Sequence, residues 1–478
     1  DVYVEVLNPE DPEQYQHNGG FKHFDSWQET ILVRDAAPVT VTARRSVHGM
    51  VQQIDGATGR AWTRARAWEG GELDSLMAWV NLARDRSLDA VQQRLANVTT
   101  NINFYYMDRD GNLGYTHGGR YPQRVSGQDS RLPTPGTGEW DWPGFRPYEE
   151  NPSVRNPAQG FIANWNNRPS QDWISSDTWS MTWSRAHRVE LINQRLSSEQ
   201  PLSTSEVWQI IRQVSFADVS APFLLPALFD AWRGESPSTL EQAALKTLQD
   251  WDGDWLVDTQ GDYGAAEALL ETWLVELLEA VFLDDIGEDF FHLYAATNNP
   301  NKPLGASRGV APGTKALIRN LDRLQAGLSS ADYDFFNGAD YRAVIREAFT
   351  TSLQQLSEAQ GVAVNAWRIA AHPMQWKPYN FRGVPQALPD ALAELPGYMN
   401  RGSENNLFIA TGKGIEAHDV IPPGQSGFVP RTKTANAQFM DQLDLFAQFD
   451  HKRVPFTAEA VKRAAVASKT LVLAEINP

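Results

Sequence analysis

The chain contains no cysteine in 478 residues, which removes disulfides, thiolate metal sites and a cysteine nucleophile together. That absence leaves the compartment open. Basic residues are outnumbered, 42 against 59 acidic, and the net charge of −17 argues against nucleic acid or an anionic membrane as partner. Long apolar runs are missing too: the longest, near Ala265 to Leu283, is broken by Glu267, Glu271, Glu276 and Glu279, so it cannot span a bilayer. There is no internal repeat, no low-complexity tract, and no HxxxH pair or other metal-ligand spacing among the nine histidines.

What is present suffices for a large core, since 42% of the residues are hydrophobic. Length alone would suggest several domains. The opening hundred residues read as strands: Val2, Val4 and Val6 alternate with Tyr3 and Glu5, and Thr30 to Val33 and Val39 to Thr42 are β-branched runs. A helix is expected over Leu73 to Arg84, with Leu76, Met77, Val80 and Leu82 as its apolar set. Asn101 to Met107 and Asn112 to Thr116 flank Asp110-Gly111, a hairpin signal. From Gln123 to Trp173 prolines, glycines and tryptophans replace regular periodicity. Such a long loop usually carries function or covers a site.

Helical spacing takes over from about Arg185 to Arg346, where Ser203 and Glu206 form a capping-box pattern and Leu269, Leu270, Leu274 and Leu277 share a face. Strand character returns near Val362 to Ile369 and Leu407 to Ala410, and a last helix starts near Thr457. Two acidic clusters, Asp108-Arg-Asp110-Gly111 and Asp250 to Asp254, lack the glycine and glutamate spacing of an EF-hand and read as turns.

The stretch Phe161 to Pro169, FIANWNNRP, places Asn164, Asn166 and Asn167 around Trp165. Clustered amides are neutral donors suited to a developing oxyanion. Asparagine also tolerates left-handed backbone, so an ordinary turn is the competing reading.

Four blocks put that string in context: RSVHG at Arg45 to Gly49, RAWEG at Arg66 to Gly70, the span from INFYYMDRDGNLGYTHGGRYPQR through LPTPGTGEWDW to GFIANWNNRP, and the late pair RGSENN and PPGQSGF. In order and spacing, from Arg45 to Phe428, they resemble the β chain of the penicillin acylase family, periplasmic amidases of the N-terminal nucleophile hydrolase superfamily. The resemblance implies an α+β fold, a four-layered αββα sandwich with a large helical insertion. In it, 1–184 would be the sheet-rich core with the oxyanion loop, 185–346 the helical insertion, and 347–478 the return to the core, all one intertwined domain. It further implies a periplasmic heterodimer cut from a precursor, with a small α chain as partner, acting on a small-molecule N-acyl amide.

Family members carry Ser, Cys or Thr at the amino terminus of the β chain, where the α-amino group serves as base. This chain opens with Asp1, so the segment holding the nucleophile is expected to lie outside it. By resemblance Asn166 donates to the oxyanion and Arg188 lies beside the nucleophile, while Trp79 and Ile102 line the acyl pocket, although core packing would explain both equally. A structural Ca²⁺ is implied at Asp1, Asp177 and the carbonyl of Ser130, where the family has proline. His48 is read as shaping a turn with Gly49. The substrate could be a penicillin-type β-lactam or an N-acyl-homoserine lactone. Two alternatives stand beside this reading: a carbohydrate-binding module using tryptophans of the Trp140 to Trp183 region, and an acylase-like protein that has lost its nucleophile.

Overall fold

The structure is a computed structural model. It describes residues 1–33, 36–171, 173, 188–198, 201–292, 312–328, 333–371, 374–376, 393–395, 402, 404–422, 424, 425, 438 and 441–470. The chain forms two compact units, one of residues 1–162 and 168–180, the other of 163–167 and 181–478.

In the first unit an antiparallel meander carries most of the sheet: β1 Val2–Asn8, β2 Asp11–His17, β3 Gly20–His23, β4 Asp25–Ile31, β5 Val39–Ser46, β6 Gly49–Asp55 and β7 Arg60–Arg64. Spatial order is β3-β2-β1-β7-β6-β5-β4. Strand β1 is central because both of its edges are used: β7 pairs antiparallel along Val2 to Val6, with Glu5 opposite Ala61. Two helices follow, α1 Glu72–Leu82 and α2 Leu88–Leu95, then the hairpin of β8 Ile102–Met107 and β9 Leu113–Gly118. Asp108 makes that hairpin's turn, accepting from the backbone N–H groups of Asp110 and Asn112, so this acidic cluster is a turn as expected.

Among its described residues the Gln123 to Trp173 segment contains only short pieces, a 3₁₀ turn at Tyr148–Glu150 and the strands β10 Pro122–Gln123, β11 Thr134–Pro135, β12 Gly144–Phe145 and β13 Ser153–Arg155. The second of these strands pairs in parallel register with the edge of β1 opposite β7, Tyr3 facing Thr134 and Val4 facing Pro135. Trp173 is buried edge-on against Tyr121 and His117, and Trp142 donates its indole N–H to Asp1, so neither offers a sugar platform.

The second unit is mainly helical: α3 Arg188–Ser198, α4 Thr204–Phe216, α5 Ala221–Ala231, α6 Thr239–Asp250, α7 Ala265–Phe290, α8 Pro312–Gln325 and α9 Tyr341–Gln360. The Ser203–Glu206 capping box forms, with Ser203 N–H donating to the Glu206 carboxylate at 2.6 Å. Helix α7 is buried on all sides from Ala265 to Glu271 and buries Trp273, Leu274, Leu277, Leu278, Val281 and Phe282 beyond, while Glu276 and Glu279 are half-buried and Ala280 is exposed. Trp273, Leu277, Phe349 and Trp367 pack in that core. Among the described residues no helix is long and apolar enough to cross a membrane.

Two expectations are corrected. The predicted helix at Leu73 exists, but Leu76, Met77 and Val80 are exposed and its buried residues are Ser75 and Ala78. The predicted strand at Val362 to Ile369 is a 3₁₀ turn at Val364–Ala366 followed by the two-residue strand Ile369–Ala370, because Trp367 turns into the helical core. Gly287, at φ 73°, kinks α7 near its end.

Burial holds the Glu267 carboxyl at the start of α7 above its ordinary value near 4.5. An acid raised in the folded state contributes stability that is complete below its unfolded value and lost as pH rises through the folded one. Glu267→Gln should therefore stabilise the protein at pH 7 and have little effect near pH 4, as read by urea unfolding at both pH values. Equal effects at the two would contradict it.

Candidate functional site

The most concentrated polar chemistry of the first unit surrounds Glu5, fully buried at the middle of β1. Its Oε1 accepts from the Ser46 hydroxyl, from Thr63 at 2.9 Å and from His48 Nδ1 at 2.9 Å. The other ring nitrogen of His48 meets Asp141 Oδ1 at 2.8 Å, and His17 Nε2 meets Asp141 Oδ2 at 2.9 Å. Tyr3 stacks on His48 with centroids 4.0 Å apart and donates its hydroxyl to the Trp140 carbonyl. Strands β1 and β2 and the loop of Asp141 thus converge on one imidazole. His48 does sit in the tight turn with Gly49, but its side chain reaches into this network, which no spacing of histidines along the sequence could have announced.

Two glycines are dictated by this arrangement. A Cβ on Gly49, at φ 130°, would lie 2.3 Å from the Arg64 carbonyl oxygen, and one on Gly136 would lie 2.3 Å from Glu5 Oε2. Motifs RSVHG and LPTPGTGEWDW are therefore the two halves of one interior structure. RAWEG is tied to the first of them by an Arg45–Glu69 ion pair at 3.0 Å.

Burial pulls the His48 pKa down, but hydrogen bonds to Glu5 and Asp141 outweigh it and hold the ring above 6.5. Burial pushes Asp141 up, and the two histidines prevail in holding it below 3.8. Stability from His48 is complete below pH 6.5 and lost as pH rises through its raised value; stability from Asp141 is complete above pH 3.8 and lost as pH falls through its lowered one. The network is strongest in weak acid.

Beside it lies a cleft of 630 Å³ lined by Asp1, Arg66, Thr99, Arg120, Ser130 and Trp142 among others. Asp1 and Ser130, two expected calcium ligands, do share this cleft. The Asp1 carboxylate, however, is 2% exposed and bound by Arg124 through two bonds of 2.9 and 3.0 Å, with Gln128 and Trp142 also donating. A guanidinium already supplies the positive charge there, so these residues as arranged do not fit a Ca²⁺ ion. Asp177, the remaining expected ligand, lies outside the described residues.

In the second unit the amide string forms a compact turn. Asn164 Nδ2 and the Trp165 N–H both donate to Asn167 Oδ1 at 3.0 Å, and the Asn166 N–H donates to Asn164 Oδ1. Asn164 and Asn167 thereby hold the backbone, while Asn166 is the exposed one, at φ 59°. Turn and donor are thus compatible readings. Ala163 and Trp165 anchor the turn against Ile192, Ile210 and Val214 of α3 and α4. Arg188 is the first residue of α3, one turn before Ile192; its side chain is outside the description.

Trp79 and Ile102 both neighbour Phe104: Trp79 meets its ring edge-on at 6.3 Å, and Ile102 is two residues away on the same face of β8. The ordinary-core reading does not describe them, since Trp79 is 43% and Ile102 39% exposed. Leu73, Leu76, Met77 and Val80 extend this uncovered apolar surface along α1.

Comparison with solved structures gives the class. The thermostable penicillin G acylase of Alcaligenes faecalis is similar over 100% of this chain and 86% of that one, with a TM-score of 0.88 and 32% identity. The fold is thus the expected α+β class of the N-terminal nucleophile hydrolases. The sequence model of the penicillin amidase family matches residues 1–463, and the chain belongs to that family. Penicillin G acylase of Escherichia coli is 35% identical over 471 residues, 97% of this chain and 55% of that protein. The acyl-homoserine lactone acylase QuiP of Pseudomonas syringae pv. tomato is 27% identical over 302 residues, 60% of this chain and 36% of that protein. This chain therefore spans about half the length of the E. coli relative, and less of QuiP.

If Glu5 organises the first unit, Glu5→Gln should destabilise it by about 3–5 kcal/mol, the cost of breaking a buried charged pair. Urea unfolding followed by tryptophan fluorescence measures this. A change below about 1 kcal/mol, within the range of an ordinary substitution, would contradict the role.

Proposed function

We propose that the full-length protein is an amidase that hydrolyses an N-acyl bond, releasing a carboxylic acid and an amine, through an acyl enzyme on an N-terminal nucleophile carried outside this chain. The observation that carries the proposal is the Asn164 to Asn167 turn: it spends two amides on its own backbone and leaves Asn166 exposed on a left-handed residue. Left-handed conformation at a non-glycine residue is uncommon and is tolerated where the surroundings enforce it. Membership of the penicillin amidase family supports the same chemistry.

In this mechanism the nucleophile attacks the acyl carbon and its proton passes to the departing amine. The carbonyl oxygen takes the negative charge, and the Asn166 side-chain amide donates to it. Water then releases the acid and restores the nucleophile. A guanidinium stays cationic near neutral pH, so the part of Arg188 is positional and electrostatic. Trp79 and Ile102 contribute to an apolar acyl pocket. The exposed row Leu73, Leu76, Met77 and Val80 supports a further chain or segment covering α1, in keeping with a heterodimer from one precursor. Penicillin-type amides and N-acyl-homoserine lactones are both candidate substrates, as the names of the two relatives suggest.

Asn166→Ala in the full-length protein should lower kcat by about a hundredfold to a thousandfold, the usual cost of one oxyanion donor, with KM changed little. Steady-state kinetics on a chromogenic N-acyl amide would measure this. An unchanged kcat would remove Asn166 from the mechanism.

A further inference from the structure

The His48 network has the composition and placement of a transition-metal site. One ring nitrogen each of His17 and His48 and an oxygen of Asp141 all lie within 4.8 Å of one another, and the nitrogens that meet Asp141 are the two Nε2 atoms. Both histidine side chains are buried, while the Asp141 side chain is 38% exposed. The three ligands come from β2, from the β5–β6 turn and from the Gln123 to Trp173 segment.

Further observations point to an ion rather than to hydrogen bonding alone. First, His48 Nδ1 is held by the buried carboxylate of Glu5 at 2.9 Å. That leaves Nε2 directed at the cluster, in the carboxylate–histidine arrangement that metal-ligating histidines use to fix tautomer and ring orientation. Tyr3, stacked on the ring at 4.0 Å, fixes its plane. Second, Asp141 is the shared partner of both rings, one carboxylate oxygen to each at 2.8 and 2.9 Å, so two imidazole nitrogens and a carboxylate are already gathered in one place.

Two ligand atoms about 2.0–2.1 Å from a tetrahedral ion are about 3.3 Å apart. The present contacts of 2.8 and 2.9 Å are those of shared protons. Replacing those protons with an ion parts each histidine from Asp141 by roughly half an ångström and brings the two imidazole nitrogens, which lie within 4.8 Å of each other, to that same spacing. A neighbouring cleft of 360 Å³, lined by Tyr3, Ser46, His48, Gly49, Asp141 and Trp142 among others, provides a route in and room for water at the fourth position.

We propose that His17, His48 and Asp141 bind one divalent transition ion of the zinc type, with Glu5 supporting His48 from behind and water completing the coordination. Two imidazole nitrogens and one carboxylate select zinc, cobalt or nickel over calcium and magnesium. The ion fastens the Trp140 to Trp142 loop onto the sheet, and this role is independent of the amidase reading.

The test is calorimetric titration of ZnCl₂ into the chelator-stripped, dialysed protein, repeated with His17→Ala and Asp141→Asn. One equivalent should bind, weakened roughly tenfold to a hundredfold or more in each variant. Cobalt provides the second readout on the wild-type protein and needs no folded variant: intense visible absorption indicates a four-coordinate site, weak absorption an octahedral surface site. Absence of stoichiometric binding, binding unaffected in folded variants, or only the weak cobalt spectrum would overturn the proposal.

Discussion

The first unit is organised around a carboxylate placed where no water reaches it. Burying such a group costs several kcal/mol unless donors are brought to it, and Glu5 at the centre of β1 therefore dictates much of its surroundings. Ser46, Thr63 and His48 must all point inward, and the turn that delivers His48 must contain a glycine at φ 130°. Gly136 must lack a side chain because Glu5 Oε2 fills that space. Asp141 must then face the second nitrogen of His48. A single polar residue on a central strand thus explains why blocks of sequence almost a hundred residues apart are needed together.

Much of the architecture was legible beforehand. Val2, Val4 and Val6 do lie on β1, the Asp110-Gly111 hairpin and the Ser203 capping box form, and the Thr457 helix begins where expected at Ala458. These succeed because the signals are local: alternation, turn chemistry and caps operate within a few residues. Helix α1 was legible as a helix but not in its facing, since periodicity identifies an apolar stripe without saying what covers it. Trp367, which bends a predicted strand into a turn, answers to the helical core and not to its neighbours in sequence.

The candidate site divides in the same way. The Asn164 to Asn167 turn was visible because its residues are adjacent, and the structure adds that Asn164 and Asn167 hold the turn while Asn166 is the exposed residue. The histidine network was not visible. His17, His48 and Asp141 are separated by 31 and 93 residues, and only sheet order and the parallel pairing of the Thr134–Pro135 strand bring them together. A partial signal did exist in the motifs themselves: a histidine before a glycine, and an aspartate between two tryptophans in a glycine-rich loop, are expensive choices for a plain turn.

The central functional claim is covalent catalysis on an N-terminal nucleophile, and it is tested most directly by trapping the acyl enzyme. The full-length protein, mixed with an N-acyl amide or the corresponding activated ester and quenched in acid, would be analysed by intact mass and peptide mapping. The account predicts an added mass equal to the acyl group on the first residue of the nucleophile-bearing chain. Amine release with no adduct on that residue, or no amine release from any N-acyl amide, would contradict it.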